Sequence, residues 1–179
     1  MESLMPSWKC ILMDPPWNEK GGGRIKRGAD RHYPVMKKHD IIRTIHQSGV
    51  WTPYENCHLW MWVTNNFLKD GLFVMEALGF RYITNAVWAK DGRPGLGQYM
   101  RGKHELILFG VKGRLGSRVK DESTLIGDGL VARGCHSEKP KSSYAKIRRI
   151  SPGPRLEMFA RAKCRGFTPW GNEVEDAVV

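Results

Sequence analysis

Residues 10–17 read Cys10-Ile11-Leu12-Met13-Asp14-Pro15-Pro16-Trp17. The four apolar residues close a short buried strand over 8–13, and the next four stop it. Each proline lacks a ladder donor and fixes its own φ, so no strand runs through the pair. The carbonyl of Pro15 is expected to lose its regular partner there and to face a cleft. In open α/β sheets ligands bind just beyond such a strand end.

Outward from this strand the chain alternates. Ile41, Ile42 and Ile45 make a helical stripe over 39–47 that ends near Gly49. A Trp- and Val-rich strand is expected at 57–64. Asn65 or Asn66 is expected to cap the next helix, with Phe67, Leu68, Leu72, Val74, Met75 and Leu78 inward and Gly79 at its end. Strands are expected at 82–88, 105–111 and 155–159, and a helix from Pro140 to about Ile150. Three stretches, 18–34, 90–102 and 112–134, are rich in glycine and basic residues and read as loops. Strand and helix in alternation predict an α/β fold with a mostly parallel sheet. No repeat or linker divides the chain, so residues 1–179 are expected to form one domain.

The 179 residues carry a formal net charge of +11, with 41% hydrophobic and 26% charged residues. The composition is that of a globular protein, and the charge favours a polyanionic partner such as nucleic acid. No apolar stretch approaches a membrane span, and Glu2, Pro6 and Lys9 interrupt the first ten residues, so a cytoplasmic protein without a membrane partner is expected. Cys10, Cys57, Cys135 and Cys164 form no Cys-x-x-Cys pair; reduced thiols and no metal site are expected, Cys135-His136 alone being too few ligands for zinc.

The chemistry of Asp14-Pro15-Pro16-Trp17 suits an exocyclic amine on a nucleobase. Such a nitrogen shares its lone pair with the ring and attacks poorly. Two acceptors at its hydrogens localise that pair. The Asp14 carboxylate is one, and the Pro15 carbonyl, held by the stiffness of Pro16, is the other. Trp17 offers a face for an extruded base. The plainer alternative is a turn with Trp17 in the core.

The chain resembles the adenine N6-methyltransferases typified by the catalytic subunit of the eukaryotic messenger-RNA adenine methylation complex, with bacterial and phage DNA-modifying relatives. Asp-Pro-Pro-Trp is that family's catalytic signature. Matches follow in the family's order: His32-Tyr33-Pro34, Leu59-Trp60-Met61-Trp62, Val87-Trp88-Ala89-Lys90, Lys103-His104-Glu105, Phe109-Gly110-Val111, Lys139-Pro140, Leu156-Glu157-Met158-Phe159-Ala160-Arg161 and Trp170-Gly171-Asn172. The resemblance implies a Rossmann-like fold dependent on S-adenosylmethionine (SAM), in permuted order with the catalytic strand first.

It also implies the site. Asp14, Pro15, Pro16 and Trp17 would be catalytic. Asp14, Lys139, Glu157, Phe159, Arg161, Asn172 and Glu173 would meet the donor, Lys139 at its carboxylate and Arg161 and Asn172 at its ribose. Lys163 and Cys164 stand where the family commonly has His and Asn, and Glu173 where it has Gln, so those contacts are expected to differ. The eukaryotic relatives use an upstream Asp-Ile pair for the donor's adenine; the residues before Ile11 do not contain it, and a different adenine pocket is expected. Tyr33, Trp62 and Trp88 are candidates to surround the target base, Lys90, Lys103 and Glu105 to contact its nucleotide, and Arg24, Lys26, Arg27, Arg114, Arg118 and Lys120 to touch phosphates. The reading favoured is adenine N6 methylation of DNA. Methylation of RNA adenine or of cytosine N4, and a non-catalytic subunit, are the alternatives. A homo- or heterodimer is allowed.

Overall fold

Six strands form one sheet in the order β3-β4-β2-β1-β5-β6. The computed structural model describes residues 7–18, 35–92, 94, 99–127, 138–171 and 174. In chain order the elements are β1 (Trp8–Met13), α1 (Lys38–Gln47), β2 (Pro53–Val63), α2 (Leu68–Ala77), β3 (Arg81–Ala89), β4 (His104–Lys112), α3 (Lys141–Ile150), β5 (Arg155–Met158) and β6 (Thr168–Trp170). No helix among the described residues is long and apolar enough to cross a membrane.

β1 lies inside the sheet, parallel to β2 on one side and to β5 on the other. Its alternate residues point to opposite faces. Ile11 and Met13 pack with Ile41, Ile45, Val74 and Met75 on the α1–α2 side; Cys10 and Leu12 pack with Ile147 and Ile150 of α3 on the other. Both faces are covered, which is why the strand reads as an unbroken apolar run rather than as an alternation. Each such side chain contributes about 1.5–3 kcal/mol on burial.

The sheet is mostly parallel, as expected, with one strand reversed. β6, β5, β1 and β2 run together, whereas β4 is antiparallel to both β2 and β3. One strand, β6, was not expected. Its three residues, one of them Pro169, are too few to show a period. Strand β2 begins four residues before its expected start, and Phe159 lies just past β5. Neither Asn65 nor Asn66 caps α2 through its side chain: Asn65–Phe67 form a 3-10 turn, and Phe67 occupies the cap position without a side-chain bond. Gly79 ends the helix at φ 83, a conformation that glycine accepts readily.

A polar knot sits in the α3 face. His58 is fully buried, with Nδ1 2.9 Å from Ser151 Oγ and Nε2 3.0 Å from the Leu115 carbonyl. A carbonyl only accepts, so Nε2 carries the proton and Nδ1 accepts from the Ser151 hydroxyl, which in turn accepts from Trp60 Nε1 at 2.9 Å. Burial lowers the His58 proton affinity, opposed by the Leu115 bond. A group depressed on folding stabilises the native state above its unfolded value of 6.5 and loses that contribution as pH falls below it. We expect thermal stability to decline between pH 7 and 5, and His58→Leu to cost about 1–3 kcal/mol at pH 7.5 while flattening that decline. Melting curves across this range test both; an unaltered slope in the variant removes the knot as the cause.

Candidate active site

The carboxyl ends of β6, β5, β1 and β2 fall at one end of the sheet. Met13 pairs with Met61 on one side and Met158 on the other, and Met158 with Trp170. The chain leaves β1 toward β2 in one direction and leaves β5 toward β6 in the other. The crevice between β1 and β5 is therefore the topological switch point, where open α/β sheets take ligands. Because β4 and β3 are antiparallel, Glu105 at the start of β4 and Trp88 near the end of β3 come to this same end, paired with each other.

Asp14 is the first residue beyond β1 there. Its backbone N–H reaches the Met158 carbonyl at 3.4 Å. The turn that follows differs from expectation. The Pro15 carbonyl is not free of partners: it accepts the Trp17 backbone N–H at 2.8 Å, and Pro16 accepts that of Met36 at 2.7 Å. A carbonyl oxygen has two lone pairs, so Pro15 keeps one acceptor position. Trp17 bridges to Met36 across the intervening segment. Its ring is buried, stacked on Phe67 at 5.8 Å and 20°, with Nε1 donating to the Trp62 carbonyl at 2.9 Å. Trp17 thus anchors the turn, and one of its two faces is taken.

Four side chains from distant parts of the sequence make a line of alternating charge. Lys139 Nζ lies 3.1 Å from Asp14 Oδ2 and 3.0 Å from Glu105 Oε2, and Lys90 Nζ binds Glu105 Oε1. Lys139 also stands 5.2 Å from the Trp62 ring centre, and Lys90 4.6 Å from that of Trp88. The two indoles meet edge to face at 6.2 Å. Trp62 and Trp88 are buried with these cations on their faces, which corrects their expected place around an open base. Lys103 does not join the line: its side chain is exposed, and its carbonyl accepts the Lys90 N–H at 2.8 Å.

The charges are unequally served. Burial raises the Glu105 proton affinity, but two lysines overcome it and hold Glu105 below the usual carboxylate value. Burial alone would lower Lys139; Asp14 and Glu105 outweigh it and hold the ammonium above the usual lysine value. Asp14 shares its one lysine with Glu105. Burial pushes its carboxyl up, Glu105 adds to the rise, and Lys139 and Arg161 only partly oppose it. The Asp14 side chain is still 24% exposed, so it is not sealed in the interior.

Beyond β5 the backbone turns sharply. Phe159 adopts φ 60, in the left-handed region that side chains seldom occupy, and its ring meets Trp170 edge to face at 5.8 Å. Ala160 N–H binds the Trp170 carbonyl at 2.9 Å, and Gly171 packs so closely that an added Cβ would lie 2.2 Å from the Ala160 carbonyl. Glu157 is buried behind this turn. Tyr144 of α3 donates to its Oε1 at 2.6 Å, while Oε2 has no partner among the described residues. Burial lifts Glu157 to about 7; the Tyr144 bond opposes the rise and the Asp14 charge adds to it. Tyr144 escaped the sequence reading, and Phe67 was read only as an inward residue of α2. Tyr144 follows Ser143 on the stripe with Ile147 and Ile150, so helical spacing on α3 would have pointed it inward. Tyr33, Arg24, Lys26, Arg27, Asn172, Glu173 and Cys135-His136 lie outside the described residues.

The MT-A70 family profile matches residues 8–173. Among similar proteins, the type II methyltransferase M.MunI of a Mycoplasma species is 27% identical over 94% of this chain and 78% of its own length. Human N(6)-adenine-specific methyltransferase METTL4 is 30% identical over 94% of this chain and 38% of its own, and the human N(6)-adenosine-methyltransferase catalytic subunit METTL3 24% identical over 89% and 26%. The chain thus spans most of M.MunI but only about a quarter to two fifths of these two human relatives. Alternating strands and helices, ligand crevice and profile agree on a Rossmann-like fold, and the chain belongs to the MT-A70 family.

Proposed function

We propose that the protein transfers a methyl group from SAM to N6 of adenine in nucleic acid, with DNA favoured over RNA. The observation that carries this is the Asp14 carboxylate at the switch-point crevice, partly exposed, beside a proline carbonyl with an acceptor position to spare. Family membership supports the adenine assignment. The similarity to a type II methyltransferase, M.MunI, supports DNA. In this proposal residues 1–179 form one methyltransferase domain.

The residues fit the donor. Glu157 Oε2 is a buried acceptor with no partner among the described residues, of the kind a donor hydroxyl or ammonium satisfies. Lys139 and Arg161 are cations suited to a carboxylate or ribose, and Phe159 stands at the turn just before Arg161. When bound, SAM supplies an electrophilic methyl carbon on its sulfonium. Asp14 and Pro15 accept the two N6 hydrogens, localise the amine lone pair and stabilise the positive charge that grows on nitrogen. Lys139 keeps Asp14 oriented, and Glu105 keeps Lys139 in place. Trp17 holds the turn still, so the two acceptors keep their spacing. Proton loss from the methylated nitrogen needs no strong base, because a cationic aryl amine is acidic.

Incubation with labelled SAM and mixed DNA or RNA, followed by nucleoside mass analysis, tests the assignment: N6-methyl-deoxyadenosine is expected, and N4-methylcytosine or no product overturns it. Asp14→Ala should lower kcat by at least about 10²–10³-fold, the cost of one electrostatic stabiliser. Since Asp14 must be ionised and its proton affinity is raised, activity should fall on acidification at a pH above the ordinary aspartate value of 3.8. Glu105→Gln removes a repelling charge and leaves Lys139 to Asp14 alone, so it should move that acid limb to lower pH; a limb that stays or rises refutes the shared-lysine account. Glu157 is ionised only above about 7, so calorimetry should find donor binding weaker below that pH. Glu157→Gln should bind more weakly and without this pH dependence.

A further inference from the structure

At the end of the sheet opposite the crevice, arginines gather around the last turn of α3. Arg118 donates its backbone N–H to the Ile150 carbonyl at 2.9 Å and its guanidinium to the Arg148 carbonyl at 3.5 Å. Arg155 reaches the carbonyls of Arg148 at 3.2 Å and Ser151 at 2.7 Å. Arg148 itself donates to the Arg165 carbonyl at 3.1 Å. Among the described residues no carboxylate forms an ion pair with Arg118, Arg148, Arg155 or Arg165; nearby Glu122 is taken by Lys146 and Arg149.

Capping explains part of this. The last carbonyls of α3 need donors, and the helix dipole places about half a negative charge there. Against that stand the full positive charges of Arg118, Arg148 and Arg155, and Arg165 brings a fourth arginine to the group through the carbonyl that Arg148 binds. Burial weakens the hold of Arg155 on its proton, and the Arg118 and Arg148 charges beside it add to that fall. Such a cluster costs free energy in the isolated protein and is relieved by an anion. It is also pre-organised: a guanidinium has five donors, and tethering one or two of them to main-chain carbonyls leaves the rest in fixed orientation, with less side-chain entropy to lose on binding. A groove of about 470 Å³ continues from Ser117, beside Arg118, and carries Arg81 and Arg114 on its lining.

We propose that this arginine cluster binds the phosphate backbone of the nucleic-acid substrate, outside the catalytic crevice. The ten residues of α3 separate it from Lys139 by about 15 Å, or about four nucleotides along one strand. It positions the duplex and reads no base. The proposal rests on the methyltransferase reading for its partner and adds a second contact to it.

The test uses the full chain with Arg118→Gln, Arg148→Gln and Arg165→Gln combined, leaving the capping Arg155 in place. Fluorescence anisotropy measures affinity for a labelled duplex across salt concentrations, and calorimetry measures donor binding. We expect at least a roughly tenfold loss of duplex affinity at physiological salt, a salt slope shallower by about 2–3 for three lost contacts, and unchanged donor binding. Equal affinity and slope in variant and wild type overturn the proposal. So does an acidic polypeptide that binds wild type as tightly as duplex and loses the same affinity in the variant. If the triple variant melts early, Arg118→Gln with Arg165→Gln carries the same test with a slope change of about 1–2. Failure of the methyltransferase reading is seen separately, as wild-type protein that binds duplex yet methylates no nucleic acid.

Discussion

A single ammonium held between two carboxylates ties this site together. Lys139 precedes α3, Asp14 follows β1 and Glu105 lies near the start of β4, so one buried cation joins three elements that the chain reaches at widely separated points. Removing one partner from such a buried arrangement typically costs about 3–5 kcal/mol, chiefly because the remaining charge is stranded. The ammoniums rest on indole faces, each contact contributing about 0.5–2 kcal/mol where water is excluded. Trp62 and Trp88 therefore act as the floor on which the charges stand.

The arrangement also explains why two carboxylates in one cluster differ. Glu105 sits between two lysines and stays ionised with ease. Asp14 competes for one of them and is the more reluctant anion. A reluctant anion is the stronger acceptor toward an amine, since its charge is less completely answered by its surroundings. The uneven sharing of lysines thus places basicity at the residue nearest the switch point.

Much of this was legible in the residues. The apolar run before Asp14 gave β1, the isoleucine stripe gave α1, and Pro140 marked the start of α3. Asp14, Lys90, Glu105, Lys139, Trp62 and Trp88 were all singled out and do converge. Their mutual pairing was not legible, because an ion pair such as Lys139 with Glu105 spans 34 residues and leaves no trace in local spacing. Orientation was equally hidden. A tryptophan on a strand looks the same in sequence whether its face meets a base or a lysine. The Pro15 carbonyl found a partner within its own turn, which propensities for single residues do not reveal.

The bridge between Trp17 and Met36 has a consequence for how this scaffold diversifies. Both ends of the stretch that separates them are clamped to the framework, one by an indole buried against Phe67 and the other by the Pro16 carbonyl. Lengthening a stretch whose ends are already fixed adds closure entropy only as the logarithm of its length. Insertions, deletions or wholesale grafts between those clamps would leave Asp14 where it is. The stretch can therefore be exchanged like a tool bit while the chuck that grips it stays unchanged.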